Sequence, residues 1–595
     1  MNKAPKTFWH KSWPTPPWFR IWLLLLALTL VIMTCLIASR SFGFPDWPMV
    51  IIVPCFSLVV ATLLLILWLF IRWFGWFCWH HWRRALFLLA CVATAIALFY
   101  AEENWRGSHA WNQFQRQLEA HGVPVDFASV VPPPVPADQN FALTPLVASS
   151  YAFMIDPNGH EIRPHLTNVV NRLSMHYWLD GDHWDPAKLP GWMNGNRTDL
   201  MALQQYYRTL ATKTNNLHLA SPTQPPAVDI LQALSRFDAD IKQLRQDSQL
   251  PASRFPLEYD KENPAMIMLP HLAALKCAAQ TLSLRATAEL ATGGVDQALA
   301  DIKLSLRLIE SVHSEPFLIT HLVRIAMLQI TLQPVWESLA DHRWNGTQLA
   351  ELDAELGKLD FLTDYQTAMR SDGVFVDRNM DYVRRYPDQY FNLCDGWSFG
   401  PKMVDPKSDL AMSIFSAGHL VPHGWYEQNK LRYARDLADF YQPAVDVTNR
   451  LFMPALIRQG DAHLTNECQH LSPCNILECL FLQWPMAFDT GMKFAHGQSC
   501  LDLARVAIAL EHYRLDQGHF PDSLTALAPQ YLNPLPHDII GGQPLHYRLT
   551  PEGQFVLYSI GWNERDDGGV SLRVTGDLPE SNLDQGDWVW RFPQN

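Results

Sequence analysis

The chain lacks every compact signature that announces a reaction. A G-x-S-x-G elbow, a phosphate-cradling glycine loop, a dinucleotide fingerprint and an H-E-x-x-H zinc motif are all missing from its 595 residues. Acidic side chains are nearly absent from the first hundred positions, where Asp46 stands alone against Lys3, Lys6, Lys11, Arg20, Arg40, Arg72, Arg83 and Arg84. That stretch carries +7, so the total of −13 leaves −20 on residues 101–595. An acidic bulk without a basic stripe excludes nucleic acid as a partner.

Charge is also missing from three apolar runs, Ile21–Ala38, Val50–Ile71 and Ala85–Tyr100. A membrane-crossing helix takes about 20 such residues. One cleaved signal peptide does not account for three runs, and the spacing predicts three transmembrane helices in contact with the lipid bilayer. Basic residues crowd the segment before the first run and the connection between the second and third. The third run exits into Ala101, Glu102 and Glu103. The positive-inside bias then puts the N-terminus in the cytoplasm and residues 101–595 outside. Trp13, Trp18, Trp22, Trp47, Trp73, Trp76, Trp79 and Trp82 sit at the span ends, where indole rings anchor. None of the spans holds an internal acid to mark a transport pathway.

Six cysteines fall outside the spans, an even count in a disulfide-permissive compartment. Cys468, Cys474 and Cys479, within "ECQHLSPCNILEC", are the disulfide candidates; zinc there lacks the paired C-x-x-C spacing.

Past the anchor, residues 1–104, the sequence divides by texture. Residues 105–146 read as a juxtamembrane helix followed by a stiff spacer, "VVPPPVPADQNFALTPL", whose prolines lack backbone donors. Residues 147–200 form an irregular cap rich in Trp and His. Residues 201–370 show helical periodicity: Leu299, Ile302, Leu306 and Ile309 share one helix face, and Gly293–Gly294 separates that helix from the one before it. The apolar segment 315–336 contains His321, Arg324 and Pro334, which mark a buried core helix rather than a fourth span. Residues 371–494 are mixed. In residues 495–595, Leu503, Val506, Leu510 and Tyr513 make a stripe, with Asp502, Arg505, Glu511 and Arg514 off it. Gly518 ends that helix. A short helix "FPDSLTAL", a hairpin through "PLHYRLT-PEG-QFVLYSIG", an acidic loop "NERDDGG" and a strand "DWVWRF" follow.

Three stretches of this last region carry a resemblance: "LARVAIALEHYRLDQGHFPDSLTAL", "LPHDIIGGQPLHYRL" and "FVLYSIGWNERDD". Together they resemble the globular part of the major pseudopilins of type II secretion, over roughly residues 495–592. The whole arrangement also resembles large multi-span bacterial membrane proteins. The pseudopilin resemblance implies calcium at Asp566 and Asp567, with Asp587 as a third carboxylate. It departs from that family in placing three spans and some five hundred residues before the head.

The expected architecture is therefore membrane-anchored and mainly α: three N-terminal transmembrane helices, an extracytoplasmic helical domain and a C-terminal α+β pseudopilin-like head. The expected role is non-enzymatic, an interaction or assembly protein with protein partners in the secretion or cell-envelope machinery. The alternative is an envelope hydrolase or carbohydrate-binding protein. It rests on His160, His165, His176 and His183, with Asp182 and Asp185, in the cap. His496 and Cys500, four apart on a helix, are the one further pair that sequence alone brings within reach.

Overall fold

The computed structural model describes residues 17–38, 49–123, 126–151, 154–155, 161–162, 171–177, 191–213, 217, 219–387, 420–470, 472, 474–475, 477–478, 489–570 and 583–593. His160, His165, His183, Asp182, Asp185 and Cys479 lie outside these residues. The chain is mainly helical and separates into two compact units, Met1–Glu102 and Glu103–Asn595.

In the first unit, α1 (Pro17–Ala38) contains the first apolar run, and α2 (Met49–Ala120) contains the second and third. Residues 72–84, expected as a connection, are themselves helical. They contain no proline and only Gly75 as a weak former, so nothing local interrupts the hydrogen-bond ladder. Among the described residues, two helical stretches are long and apolar enough to cross a membrane. Trp82–Ala120 has an apolar window of mean hydropathy 2.1 that is 0% buried. Leu318–Ala340 has one of mean hydropathy 1.3 that is 61% buried, as befits a core helix.

The second unit is built from α3 (Leu200–Lys213), α4 (Pro226–Leu234), α5 (Asp238–Asp247), α6 (Pro270–Thr292), α7 (Val295–Glu310), α8 (Leu318–Ala340), α9 (Gly346–Leu356), α10 (Phe361–Arg385), α11 (His423–Asp436), α12 (Pro454–Gln469) and α13 (Thr490–Gln517). Single-turn helices link them. Two short antiparallel pairs interrupt the helices: β1 (Met154–Ile155) with β2 (Glu161–Ile162), and β3 (Val445–Asp446) with β4 (Leu451–Phe452). The C-terminal sheet is antiparallel in the order β5 (His546–Leu549), β6 (Phe555–Ser559), β7 (Trp588–Trp590). Its register sets Tyr547 against Leu557 and Leu557 against Trp590.

Local chemistry explains the strongest boundaries. Gly293 takes φ +88° and closes α6, and α7 then buries Leu299, Ile302, Leu306 and Ile309, the face read from its spacing. Asn345 and Gln348 form a reciprocal capping box at the start of α9, and Asp360 accepts from two amides at the start of α10. Pro334 inside α8 removes one backbone donor, which leaves the Ile330 carbonyl without its helical partner. Ser283 on α6 supplies the missing donor, Oγ to O at 2.9 Å.

The helix expected to open a separate head is instead a middle element of the bundle. Helix α13 packs against α8, α9, α10 and α12, and against β6 and β7. Contact on so many sides buries Asp502 and Glu511 as well as Leu503, Val506 and Leu510. Glu511 keeps its charge because His342 Nδ1, at 2.9 Å, and Arg514 Nε, at 2.8 Å, both donate to it. One hydrophobic core runs from Phe141 to Trp590. The proline-rich stretch is tied into this body. Asn140 and Arg254 exchange two hydrogen bonds of 2.8 Å, and Phe141 and Leu146 are buried.

Candidate functional site

The His496–Cys500 pair does form. Cys500 Sγ lies 3.4 Å from His496 Nε2, and both side chains are buried. Burial pushes the imidazole down to about 4 and pushes the thiol far up. Neither partner is charged near neutrality, so the pair lacks the thiolate and imidazolium of a cysteine nucleophile. The edge of the His496 ring meets Trp588, with centroids 5.1 Å apart, and the pair packs as part of the core.

Asp566, Asp567 and Asp587 do not assemble the oxygen cage that the resemblance implied. Asp587 accepts from the amides of Asp567 and Gly569 at 3.2 and 2.7 Å. Asp566 accepts from Tyr558 Oη and the Gly568 amide, and Asp567 from Asn563 Nδ2. The Gly568 carbonyl accepts from Arg548. Calcium takes six to eight oxygens, whereas these are turned onto the loop's own donors, so the three carboxylates do not fit calcium as arranged. Among the described residues no group of three or more His, Cys, Asp or Glu is placed to hold a metal ion.

Cys474 is a free thiol, so no disulfide joins it to Cys468. Of the cap histidines only His176 is described; its Nε2 hydrogen-bonds Ser174 Oγ at 2.7 Å.

Two charged clusters in the bundle are structural. Arg324 is wholly buried on α8, stabilised by an ion pair with Asp364 and by Glu310 Oε2 at 3.1 Å, and its Nε donates to the Ile309 carbonyl. Burial pushes the Asp364 carboxyl up, but Arg324, His321 and His313 outweigh it and hold the group below the usual carboxylate range. Lys430 on α11, also buried, lies 3.0 Å from Asp377 and 2.8 Å from Asp381 on α10.

A depression at the first turn of α13 has a different character. Its empty volume is about 380 Å³, of which about 40 Å³ admits the centre of a water molecule. That is room for roughly three waters. Tyr365 and Met369 come from α10, Tyr441 from the turn after α11, Ile457 and Asp461 from α12, Asp489 to Met492 from the start of α13, and Trp562 from the segment after β6. Tyr441 Oη donates to Asp461 Oδ1 at 2.9 Å, and Tyr365 Oη donates to the Tyr441 carbonyl at 3.0 Å. Arg458 holds the Trp562 carbonyl at 3.0 Å. A side chain at Gly491 would press on Ile457, its Cβ 3.2 Å from Cγ1, so glycine keeps the floor closely packed.

The polar groups here are unusual in three respects. Asp489 sits in the left-handed region at φ +45°, where a non-glycine residue is strained, and its side chain does not cap the helix. Thr490 is 3% exposed, lines the depression, and its Oγ1 has no hydrogen-bond partner. Burial and the nearby Asp489 charge raise the Asp461 carboxyl above its ordinary range. Sequence reading missed this site because its members lie on five segments from Tyr365 to Trp562. The local signal that was available is the run Asp489-Thr490-Gly491, a cap-type residue and a glycine at a helix start.

Set against models of protein families, curated proteins and solved structures, the chain matches none of them.

Proposed function

We propose that the chain is a bacterial inner-membrane protein whose N-terminal helices cross the bilayer three times, and whose residues 103–595 act outside the cytoplasm as a non-enzymatic interaction or assembly module linked to secretion or cell-envelope machinery. One observation carries the reading: the apolar window in Trp82–Ala120 has a mean hydropathy of 2.1 and is 0% buried. Apolar surface left in water costs about 25 cal/mol per Å², a cost that lipid removes. Arg72, Arg83 and Arg84 before this window and Glu102 and Glu103 after it support the orientation. Three crossings require the segment 72–84, helical in this structure, to turn near Gly75 on the cytoplasmic side once it is in a bilayer.

Membrane topology is tested by labelling single cysteines in intact cells. A cysteine at Gly75 should react only after the inner membrane is opened, and one at Glu102 should react from outside. The reverse pattern, or equal reaction at both, overturns the topology. Partners are tested by crosslinking the full chain in native membranes and identifying what is captured. Recovery of secretion or envelope components supports the assembly role. Recovery of the chain alone overturns it.

A further inference from the structure

We propose that the first turn of α11 and the stretch of α2 fastened to it form a surface that rests on the outer leaflet, with Trp105 and Leu420 seated among the lipid headgroups. The inference rests on the membrane crossing proposed above. It goes further in putting part of residues 103–595 in contact with lipid.

Chain length sets the distance. Glu103 is the third residue past Tyr100, where the last apolar run ends, so it lies within about 10 Å of that end on any path of the chain. The polar layer of a bilayer is roughly 5–8 Å deep on each side. Glu103 is buried, and its carboxylate accepts from Trp425 Nε1 at 2.9 Å and from Gln428 Nε2 at 3.2 Å. The Gly424 amide donates to Asn104 Oδ1 at 2.9 Å. Gly107 and Gly424 have no room for a Cβ between their backbones. Further along, Lys430 Nζ lies 5.7 Å from the centre of the Trp111 ring, and Arg435 Cζ lies 5.9 Å from that of Phe114. The pairs 103 with 424, 111 with 430 and 114 with 435 follow one order, so α11 runs alongside α2 in the same direction. Its first turn, not its last, is the part held beside the residues nearest the apolar run.

The side chains left open there suit a headgroup layer. Leu420, three residues before α11, is 71% exposed, and Trp105 is 67% exposed. Successive helix residues turn by about 100°, so Trp105 lies roughly opposite Glu103 and Gly107 and faces away from α11. Its ring stacks on that of His109, with centroids 5.3 Å apart and planes at 15°. An indole with one polar edge belongs at a boundary that is apolar on one side and wet on the other. The exposed imidazoles of His109 and His423 add N–H donors for headgroup phosphates. A protein covering the same side chains would have to displace lipid that the chain length already brings to them.

The experiment places the photo-crosslinking residue p-benzoylphenylalanine at Leu98, Trp105, Met201 or Leu420, one position at a time. The full chain is irradiated in vesicles of phosphatidylethanolamine and phosphatidylglycerol, and lipid adducts are read by mass spectrometry. All four side chains are exposed, so the replacements leave the packing intact. Leu98, within the apolar run, reports the crossing itself, and Met201, on α3, reports lipid contact elsewhere in residues 103–595. Adducts are expected at Leu98, Trp105 and Leu420, with none above background at Met201. Adducts at Leu98 that are missing from Trp105 or from Leu420 overturn this inference and leave the crossing standing. Absence of an adduct at Leu98 overturns the crossing, and this inference with it. Adducts at Met201 as abundant as those at Leu420 also overturn it, because contact is then not confined to this surface. The same chains irradiated in native membranes separate lipid from protein: a protein adduct at Trp105 or Leu420 in place of the lipid one overturns the assignment to lipid.

Discussion

Ser283 Oγ donates a 2.9 Å hydrogen bond to the carbonyl of Ile330, the acceptor that Pro334 deprives of its helical partner. One helix thus repairs a defect in its neighbour. Ser283→Ala should destabilise the second unit by about 1–2 kcal/mol, because a half-buried carbonyl is left unpaired. Pro334→Ala restores the amide, so in that background the same serine change should cost less than half as much. Thermal melts of the four proteins in this cycle provide the measurement.

Gly107 and Gly424 mark a backbone-to-backbone crossing within residues 103–595. A Cβ on Gly424 would meet the Glu103 carbonyl oxygen, and one on Gly107 would meet Gly424 itself. Gly424 N also donates to Asn104 Oδ1 at 2.9 Å. Gly424→Ala should therefore cost about 2 kcal/mol or more, far beyond an ordinary surface change. Ala placed at Gly553, where nothing lies within 4 Å but φ is +76°, is the comparison and should cost about 1 kcal/mol. Limited proteolysis of the two variants would rank them.

Asp364 is the principal counter-charge of wholly buried Arg324. Asp364→Asn should lower stability by about 3–5 kcal/mol, since it strands a buried guanidinium. Pairing it with Arg324→Met should recover much of that loss. Melting temperatures that add independently would show that the two groups do not depend on each other.

His496 gives a pH dependence whose sign is fixed. Its imidazole stays neutral down to about 4 in the folded chain because it is buried, whereas an unfolded histidine takes its proton near 6.5. Between these values the unfolded state binds the extra proton, so stability falls as pH drops from 6.5 to 4. The full effect is roughly 3 kcal/mol. Melts of the native chain and of His496→Gln at pH 7, 5 and 4 should show a shallower acid slope in the variant.

The acidic loop yields the opposite of a metal-dependent stability. Asp587 is 2% exposed and ties the 566–569 segment to β7 through two amides. A chelator should leave the melting temperature unchanged, while Asp587→Asn should lower stability by about 1–3 kcal/mol by turning an amide donor toward a backbone donor. A chelator-induced drop that disappears in the Asp566→Ala, Asp567→Ala chain would instead restore calcium to this loop.

What could be read from the sequence was local. The stripe Leu299, Ile302, Leu306, Ile309 and the stops at Gly293 and Gly518 depend on neighbours within a few residues, and the structure has them all. Arg324 and His321 were legible as marks of a core helix. Helix α13 was misread on its polar side because the elements packed around Asp502 and Glu511 lie more than 100 residues away, on α9, α10 and the turn at His342. A two-sided pattern on one helix gives no sign of contact from several directions. The depression at Thr490 was invisible for the same reason, and the unbroken helix through residues 72–84 because no residue there dictates a turn.

The position of α13 also sets the order in which this protein can take shape. During synthesis, residues 103–489 emerge with the faces of α8, α9 and α10 uncovered, since the helix that fills them is made after all three. Trp336 Nε1 waits for the carbonyl of Arg591, and Trp192 for the ring of Trp590, both some 250 residues or more further along the chain. The unit Glu103–Asn595 therefore closes only after α13 and β7 have been made. Until then the growing chain presents an open apolar trough, the state in which a chaperone would have to hold it.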